Sequence, residues 1–333
     1  MPQIPSPIVA LGWLTASYIL IKLIHLIGIY ILPSRLHRFA HVAPNGDSPW
    51  ALVTGASDGI GAAFAQELAT HGFNVVLHGR NPAKLNSVKD GLQKKHPSRS
   101  FRILVADASK VACTNCIPSE QHGQNSEALD FKAIGAELEG LHLTVLINNA
   151  GGMSTSPTYR LLMDSSEERI TRNVSLNAIF PLHMMRQFLP TLCRNGPSLI
   201  INISSLADTG FPLLSSYGSS KQFLMTLTRS VALEMPLGHG PGLDQVELLG
   251  VRVGRVTGVA AYKEEPSLFT PSAQDMARAA LSRAGYGHGC VIGYWSHALQ
   301  TVGFTVLPKW LEGRVLQGVM RNERAVELSK KSD

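Results

Sequence analysis

Tyr217 and Lys221 stand four residues apart in a segment that reads Tyr217-Gly218-Ser219-Ser220-Lys221. Residues at this spacing lie on one face of a helix, so a phenol and an ammonium group can lie side by side. A free tyrosine has a pKa of about 10, and a neighbouring cation lowers it by stabilising the phenolate. The pair predicts an acid–base centre, although the same spacing occurs by chance in many surface helices.

A glycine-rich turn follows the first apolar run of the chain, Trp50–Thr54, and precedes a helical pattern. Glycines allow backbone N–H groups to approach a pyrophosphate at a helix N-terminus, where the partial positive charge favours an anion. The turn therefore predicts a dinucleotide site. The residues expected to bind the dinucleotide are Gly55, Ser57, Asp58, Gly59, Ile60 and Gly61.

The same turn also spells G-x-S-x-G, the nucleophile elbow of serine hydrolases, with Ser57 as the nucleophile. A hydrolase elbow follows a strand and a loop that supply part of the oxyanion hole. Here only an apolar segment and a short linker come before it. The dinucleotide interpretation is therefore favoured.

The second predicted strand, Asn74–His78, is followed by Gly79 and Arg80. The residue at position 80 indicates which dinucleotide is bound. An acidic residue there would bind the ribose hydroxyls of NAD, whereas Arg80 can pair with a 2′-phosphate, so we expect NADPH/NADP. Arg80 as a solvated loop arginine is the alternative, since no second basic residue stands beside it in sequence. Asp107 ends the third strand and is expected to contact the adenine.

Short apolar runs alternate with helical patterns through the middle of the chain. This rhythm is that of a doubly wound parallel sheet, an α/β fold of the Rossmann type with at least five strands, which we place at residues 48–288. The polar stretch Val111–Ser126 is expected to be a surface loop. The strands are predicted at Trp50–Thr54, Asn74–His78, Phe101–Ala106, Thr144–Asn148 and Leu199–Ser204, with helices at Gly61–His71, Pro82–Lys95 and Ala178–Leu192.

Composition narrows the classes of function. Of 333 residues, 44% are hydrophobic and 16% charged, which suits one compact catalytic domain with appendages. The net charge is +6, but the basic residues are scattered, so we expect no nucleic-acid partner. Cys113 and Cys116 form a C-x-x-C pair without a second ligand pair, and the twelve histidines show no H-E-x-x-H pattern; no metal site is expected.

The N-terminal segment Ile8–Leu32 is almost continuously apolar and long enough to cross a bilayer of about 30 Å. We interpret residues 1–34 as a retained anchor, with Lys22 and His25 as its polar interruptions; a helix lying in the membrane interface is the alternative. Arg35 and Arg38 follow the segment and no charged side chain precedes it, so the remaining chain is expected on the cytosolic side.

The C-terminal region, residues 289–333, is expected to be an apolar extension with a basic tail. Its last residues, Lys330-Lys331-Ser332-Asp333, resemble a dilysine retrieval signal of endoplasmic-reticulum membrane proteins, read from the cytosol. The apolar stretch 290–311 is interrupted by His297, Gln300 and Pro308. It could dock on the membrane, cover a substrate pocket or form a second span.

Four motifs taken together resemble the short-chain dehydrogenase/reductase superfamily over residues 50–258. They are the glycine turn T-G-x-x-x-G-x-G, the N-N-A-G run at Asn148-Asn149-Ala150-Gly151, a serine at a strand end and Y-x-x-x-K, in this order. Within the superfamily the chain is similar to the membrane-bound very-long-chain 3-oxoacyl-CoA reductase and 17β-hydroxysteroid dehydrogenase group. The shared features are the apolar anchor, the Ser57–Gly61 loop and a C-terminal extension through Lys309-Trp310-Leu311.

The resemblance implies roles for four residues. Tyr217 donates the proton to a ketone oxygen, Lys221 tunes it and binds the ribose, Ser205 hydrogen-bonds the carbonyl, and Asn177 holds a water in a proton relay. Asn173 is the alternative to Asn177 for the water-binding role, and Ser204 is the alternative to Ser205 for the carbonyl-binding role. Asn149 is expected to contact the cofactor.

One segment departs from the family pattern. After the sixth strand the family has Pro-Gly and then a threonine at the nicotinamide, whereas this chain reads Val253-Gly254-Arg255-Val256-Thr257-Gly258. Val256 is our candidate for the cofactor contact in that segment.

The expected function is NADPH-dependent reduction of a lipophilic ketone, with a 3-oxoacyl-CoA in fatty-acid elongation as the first choice of substrate. A steroid, polyketide or other specialised ketone is the alternative, and a non-catalytic cofactor-binding scaffold is a remote one. The expected location is the endoplasmic-reticulum membrane, where membrane lipid, a second copy of the chain or elongation-complex proteins would be the partners.

Overall fold

The computed structural model describes residues 7–111, 128–153, 156–260, 262–287 and 289–329. The Cys113 and Cys116 pair and the basic tail at Lys330–Asp333 lie outside these ranges.

A single parallel sheet forms the centre of the molecule, and its seven strands lie in the order β3-β2-β1-β4-β5-β6-β7. The strand order runs outward from the neighbouring strands β1 and β4 in opposite directions, so the connections that leave their carboxyl ends separate and form a crevice at this point of the sheet. The strands are β1 (Trp50–Thr54), β2 (Asn74–Gly79), β3 (Phe101–Val105), β4 (Leu143–Asn148), β5 (Ser198–Ile203), β6 (Val246–Arg252) and β7 (Cys290–Ile292).

The four central strands are buried on both faces because helices cover both sides of the sheet, as in other all-parallel sheets. Neighbouring residues on β1 show the division: Val53 packs into one hydrophobic cluster and Leu52 into the other. Continuous apolar runs are therefore required in these strands, and the sequence provides them.

Helices on both faces connect the strands within the described part of the chain. The turn Ser175–Ile179, between α5 and α6, is π-helical. The helices are α1 (Pro7–Ile31), α2 (Gly59–Thr70), α3 (Pro82–Lys95), α4 (Phe131–Glu137), α5 (Glu167–Val174), α6 (Phe180–Arg194), α7 (Ser215–Glu234), α8 (Ala273–Leu281), α9 (Trp295–Val306) and α10 (Lys309–Ser329).

The sequence-based bounds agree with most of these elements, and those of β1 and α3 agree residue by residue. Two differences concern the C-terminal region. Cys290–Ile292 pairs with β6 as the edge strand, so the sheet continues past the domain boundary expected at residue 288. The apolar stretch 290–311 is divided among this strand, α9 and the start of α10, and it does not form one continuous membrane span.

Helix α1 is the one described helix that is long and apolar enough to cross a membrane, by length and composition. Its 25 residues extend over about 37 Å, and none of them is buried. The chain that follows α1 is fixed to the folded domain. The Ser34 hydroxyl donates to the Leu281 carbonyl at 2.9 Å, and the Arg38 guanidinium donates to the Gly285 carbonyl at 3.1 Å.

A series of hydrogen-bonded, buried polar side chains crosses the hydrophobic cluster that contains Leu52. The Asn148 amide donates to Asn202 Oδ1 at 2.8 Å, the Asn202 amide donates to Thr228 Oγ1 at 2.8 Å, and the Thr228 hydroxyl donates to the Leu224 carbonyl at 2.7 Å. All three side chains are at most 3% exposed. A buried amide without a hydrogen-bond partner costs free energy. These hydrogen bonds therefore hold β4, β5 and α7 together.

Replacing Thr228 by valine removes the oxygen acceptor of the Asn202 amide, leaving the Met185 sulfur as its partner, while keeping the side-chain volume. We expect the free energy of unfolding to fall by about 1–3 kcal/mol, because the buried Asn202 amide loses a hydrogen-bond partner. Thermal unfolding of the detergent-solubilised protein measures the effect. Thr226→Val on the exposed face of the same helix is the matched control, and equal stability of the two variants would show that the buried chain contributes nothing.

Candidate active site

One cavity of about 630 Å³ opens at the carboxyl ends of the strands. It runs from the glycine turn after β1, past the ends of β2, β3 and β4, to the start of α7, so the residues singled out by sequence meet in one place. The predicted residues that line it are Gly55, Ser57, Asp58, Gly59, Ile60, Gly61, Arg80, Asp107, Asn149, Ser205, Tyr217, Lys221 and Val256.

The inner side of the glycine turn has no room for side chains. A β-carbon at Gly61 would overlap the Gly55 carbonyl oxygen and lie 2.6 Å from the Asn149 amide nitrogen. Gly55 adopts φ +67°, a left-handed conformation that favours glycine. The turn is thus closely packed on its inner side, and its outer side faces the cavity.

Asn149 holds the glycine turn in place. Its side-chain amide donates to the Thr54 carbonyl at 3.0 Å, and its backbone N–H donates to Thr54 Oγ1 at 2.9 Å. The Ala150 N–H also donates to Thr54 Oγ1, at 2.9 Å. Because these bonds join the ends of β1 and β4, the side-chain amide of Asn149 positions the turn that would hold a pyrophosphate.

Two basic side chains line the far end of the cavity. Arg80 follows β2, as predicted, and Lys84 lies one helical turn further on, 4.0 Å from Asp58 Oδ2. Sequence reasoning missed Lys84. The signal was available, since the side chain of Asn81 caps α3 by accepting from the Lys84 N–H at 3.0 Å and so places Lys84 in the first turn of that helix.

Asp107 lies beyond the end of β3, close to Arg80. Its Oδ1 accepts from the Ser109 N–H at 3.0 Å and from the Ser109 hydroxyl at 2.8 Å. Burial raises the pKa of Asp107, but the bonds from Ser109 and the charges of Arg80 and Arg172 outweigh it, so the pKa lies below its ordinary value. The carboxylate is ionised at neutral pH and fixed at the rim of the cavity.

Lys221 is buried at the end of β5. Its ammonium group donates to the Ile203 carbonyl at 2.9 Å and lies 5.8 Å from the centre of the Tyr217 ring. Only 3% of the side chain is exposed, and desolvation lowers its pKa to about 8. A β-carbon at Gly151 would come within 2.7 Å of this nitrogen, so the ammonium requires a glycine after β4.

The Tyr217 hydroxyl lies beside the Ser205 side chain. Desolvation raises the pKa of Tyr217, and the hydrogen bond from Ser205 offsets part of the rise. The sequence-based expectation that Lys221 lowers this pKa differs from the structure, because in the free protein burial dominates. The phenol is therefore protonated at neutral pH.

The two adjacent serines have different surroundings. The Ser204 hydroxyl donates to the Lys221 carbonyl at 3.0 Å and lies 3.3 Å from Asp208 Oδ2, so it is engaged in the interior. Asp208 in turn pairs with Arg252 at 2.6 Å, which ties the ends of β5 and β6 together. Ser205 Oγ accepts from the Ala207 N–H at 3.1 Å and lies beside Tyr217, so the geometry favours the Ser205 hydroxyl as the donor to a ligand.

Asn177 lies in the π-helical turn between α5 and α6 and is fully buried. Its amide donates to the Gly152 and Asn173 carbonyls, both at 2.9 Å, and its Oδ1 accepts from the Gly152 N–H at 2.9 Å. A β-carbon at Gly151 would lie 2.9 Å from this oxygen. Asn173 also donates to the Gly152 carbonyl, at 3.1 Å, so both candidates hold the loop after β4, and Asn177 Oδ1 is close to the Lys221 ammonium.

The segment after β6 is held by a residue that sequence reasoning treated as a break in an apolar stretch. His297 of α9 is fully buried; its Nδ1 accepts from the Gly254 N–H at 3.1 Å, and its Nε2 lies 3.2 Å from the Arg255 carbonyl. Burial lowers the pKa of His297, which keeps the ring neutral. The Thr257 hydroxyl donates to the Glu264 carbonyl and is thus engaged within the segment.

A second phenol, Tyr262, lines the cavity and was also missed. Its hydroxyl lies 2.7 Å from that of Tyr159, and the Tyr159 hydroxyl donates to Glu323 of α10 at 3.2 Å. Arg255 pairs with the other oxygen of the same carboxylate at 2.6 Å. The C-terminal helix therefore fastens two loops beside the cavity. No local motif could predict this, since the partners are distant in sequence.

Comparison with known proteins places the chain in a family. Residues 49–238 match the family described as short chain dehydrogenase, so the chain belongs to this family and is an oxidoreductase. A very-long-chain 3-oxoacyl-CoA reductase-like protein of Arabidopsis thaliana is 32% identical over 87% of this chain and 81% of its own length. The very-long-chain 3-oxoacyl-CoA reductase of Caenorhabditis elegans is 28% identical over 92% and 89%.

Solved structures agree on the fold. A 7β-hydroxysteroid dehydrogenase structure has a TM-score of 0.64 at 19% identity, covering 81% of this chain and 96% of the other. A short-chain dehydrogenase from Sphingobium yanoikuyae, solved in complex with NADPH, has a TM-score of 0.59 at 22% identity, covering 78% and 97%. The relatives named as reductases support a ketoreductase role for this oxidoreductase.

The buried ammonium of Lys221 has a cost that can be measured. A pKa lowered from 10.5 to about 8 means that the folded state binds this proton less tightly, a penalty of about 3 kcal/mol at pH 7. Between pH 8 and 10.5 the unfolded chain keeps the proton that the folded chain has lost, so stability rises with pH there.

We expect Lys221→Met to raise the free energy of unfolding at pH 7 by about 1–3 kcal/mol, after loss of the bond to Ile203, and to remove the rise above pH 8. Thermal unfolding across this pH range measures both effects. Lys94→Met, on an exposed lysine, is the control. A less stable Lys221→Met protein with an unchanged pH dependence would contradict the assigned pKa.

Proposed function

We propose that this protein reduces the ketone of a long-chain 3-oxoacyl-CoA to a secondary alcohol with NADPH, at the membrane of the endoplasmic reticulum. The observation that carries the reaction is the grouping of Tyr217, Ser205 and the Lys221 ammonium at the end of β5, within one cavity. A protonated phenol beside a hydroxyl and a buried cation is suited to protonating an oxyanion.

The cavity has the features that a dinucleotide requires. The closely packed turn at Gly55 and Gly61 leaves backbone N–H groups at the start of α2 for a pyrophosphate, and Gly151 keeps the space above Lys221 open. When bound, the reduced nicotinamide supplies the hydride that adds to the carbonyl carbon. In this proposal Lys221 would bind the ribose and Val256 would contact the nicotinamide end, since both residues line the cavity.

The residues of the chain supply the proton. Ser205 would donate a hydrogen bond to the substrate carbonyl, and Tyr217 would donate its phenolic proton to the oxygen as negative charge develops there. Lys221 would stabilise the resulting phenolate. The side chain of Asn177 is fully buried and bonded to Gly152 and Asn173, so Asn177 would act on the proton relay by holding the loop after β4.

The choice of NADPH over NADH rests on Arg80 and Lys84. Neither is an acidic residue that would bind ribose hydroxyls, and together they offer two positive charges at the end of the cavity. Ionised Asp107, near Arg80, would contact the adenine.

The substrate class rests on the named relatives and on the apolar helix α1. Relatives named very-long-chain 3-oxoacyl-CoA reductases align with 84–92% of this chain. An anchor would hold the cavity where long acyl chains partition. The positive charges that follow α1 favour a cytosolic location for the domain.

Tyr217→Phe tests the proton donor. Loss of the phenolic proton is expected to lower kcat for NADPH oxidation with a 3-oxoacyl-CoA by roughly 10²–10⁴-fold, since general acid catalysis contributes that much. NADPH affinity, measured by fluorescence titration, should stay within about twofold of the wild type because the ring is kept. Tyr18→Phe in α1 is the control. An unchanged kcat in Tyr217→Phe would overturn the assignment.

The substrate is tested with 3-oxoacyl-CoAs of increasing length beside a steroid ketone. We expect kcat/KM to rise by about tenfold or more as the acyl chain lengthens, because each buried methylene contributes roughly 0.8 kcal/mol. Turnover of the steroid alone would replace the proposed substrate. Tight NADPH binding without turnover of any ketone would instead favour a scaffold.

Arg80→Ala combined with Lys84→Ala tests the cofactor preference. Removing both charges should raise the KM for NADPH by roughly 10–100-fold and leave the KM for NADH within about threefold, because a 2′-phosphate is present in NADPH alone. Initial rates at varied cofactor concentration measure this, with Lys94→Ala as the control. Equal effects on both cofactors would show that the pair does not read the phosphate.

A further inference from the structure

Helix α9 carries an apolar stripe that no described part of the chain covers. Trp295, Leu299, Val302 and Val306 are 46%, 56%, 47% and 79% exposed. Their spacing of four, three and four residues places them on one face of the helix. The helix contains no lysine, arginine, aspartate or glutamate, which is unusual for a helix face in water.

The opposite face of α9 is fixed in the protein, so the stripe cannot turn inward. Ser296, His297 and Ala298 are at most 5% exposed. The Ser296 hydroxyl donates to the Leu268 carbonyl at 2.7 Å, and His297 binds the Gly254 N–H. The orientation of the exposed stripe is therefore set by the same contacts that hold the segment after β6.

The stripe begins next to the end of α1. The Tyr30 hydroxyl, in the last turn of α1, donates to the Ile292 carbonyl at 2.8 Å, and Ile292 ends β7 three residues before Trp295. The Arg283 guanidinium lies over the Tyr30 ring and donates to the Ile29 carbonyl. The end of the exposed apolar helix and the start of α9 are thus joined through one edge strand.

We propose that the α9 stripe is a second membrane-contact surface, which lies in the interface of the bilayer that α1 enters. The proposal goes beyond the reaction and rests on the proposed membrane attachment. At 12 residues α9 extends over about 18 Å, too short for a core of about 30 Å but sufficient for a helix lying in the interface. Trp295 and the 65% exposed Trp310 have the side chains favoured at that depth.

This surface connects the bilayer to the active site. One face of α9 would contact lipid while His297, on the other, holds the Gly254 segment that lines the cavity. The bilayer would then fix the cavity at a set height above the interface, where the acyl chain of a lipophilic substrate lies.

The test uses the full chain in phosphatidylcholine vesicles, with and without bromine on the acyl chains, and tryptophan fluorescence as the readout. The Trp13→Phe/Trp310→Phe variant leaves Trp295 and the buried Trp50. The matched control adds Trp295→Phe and Val105→Trp, which places a tryptophan on β3, at the far edge of the sheet where Val105 is 52% exposed.

We expect brominated lipid to reduce the Trp295 emission by about half. The emission of the control variant should stay within about a tenth of its value in lipid without bromine, because quenching requires contact with the acyl chains. Protein that floats with vesicles but shows equal quenching in both variants would overturn the α9 proposal and leave the anchor intact. Leu299→Cys copies that cross-link to one another without lipid quenching would assign the stripe to a second copy instead. Protein that does not float would overturn both the anchor and the α9 contact.

Discussion

The buried ammonium of Lys221 is the constraint on which the rest of the site depends. A cation removed from water requires an acceptor and close neighbours, and the Ile203 carbonyl at the end of β5 supplies the acceptor. Gly151 must lack a side chain to leave space for the ammonium, and the π-helical turn brings Asn177 to the same loop. Tyr217, the loop after β4 and the serine after β5 are positioned around this one charge.

The sheet offsets the free-energy cost of burying the Lys221 ammonium. Four central strands are buried on both faces, and the chain from Asn148 through Asn202 to Thr228 ties β4 and β5 to the helix that carries Tyr217 and Lys221. A rigid frame can hold a charge in a low-dielectric position that flexible loops would release to water. The lowered pKa of Lys221 and the raised pKa of Tyr217 both follow from this burial.

The C-terminal region supplies contacts to helix α1 and to the loops beside the cavity that the sheet alone does not supply. Its edge strand lies against the end of α1, one face of α9 holds Gly254, and α10 binds two loops through Glu323. Helix α1, the C-terminal region and the cavity are thus one connected structure. The glycine after β6 has a physical reason here, since the ring of His297 lies against Gly254 and leaves no space for a β-carbon.

The sequence by itself determined the strands, the glycine turn, the Tyr217 and Lys221 pair and the apolar N-terminal helix, because each depends on local spacing and on the burial of apolar runs. The tertiary structure alone decided that Ser204 is bonded to the Lys221 carbonyl whereas Ser205 lies beside Tyr217, that His297 is a structural partner, and that Tyr262 faces the cavity. Those outcomes depend on contacts between residues far apart in the chain and on desolvation, and no local pattern encodes either.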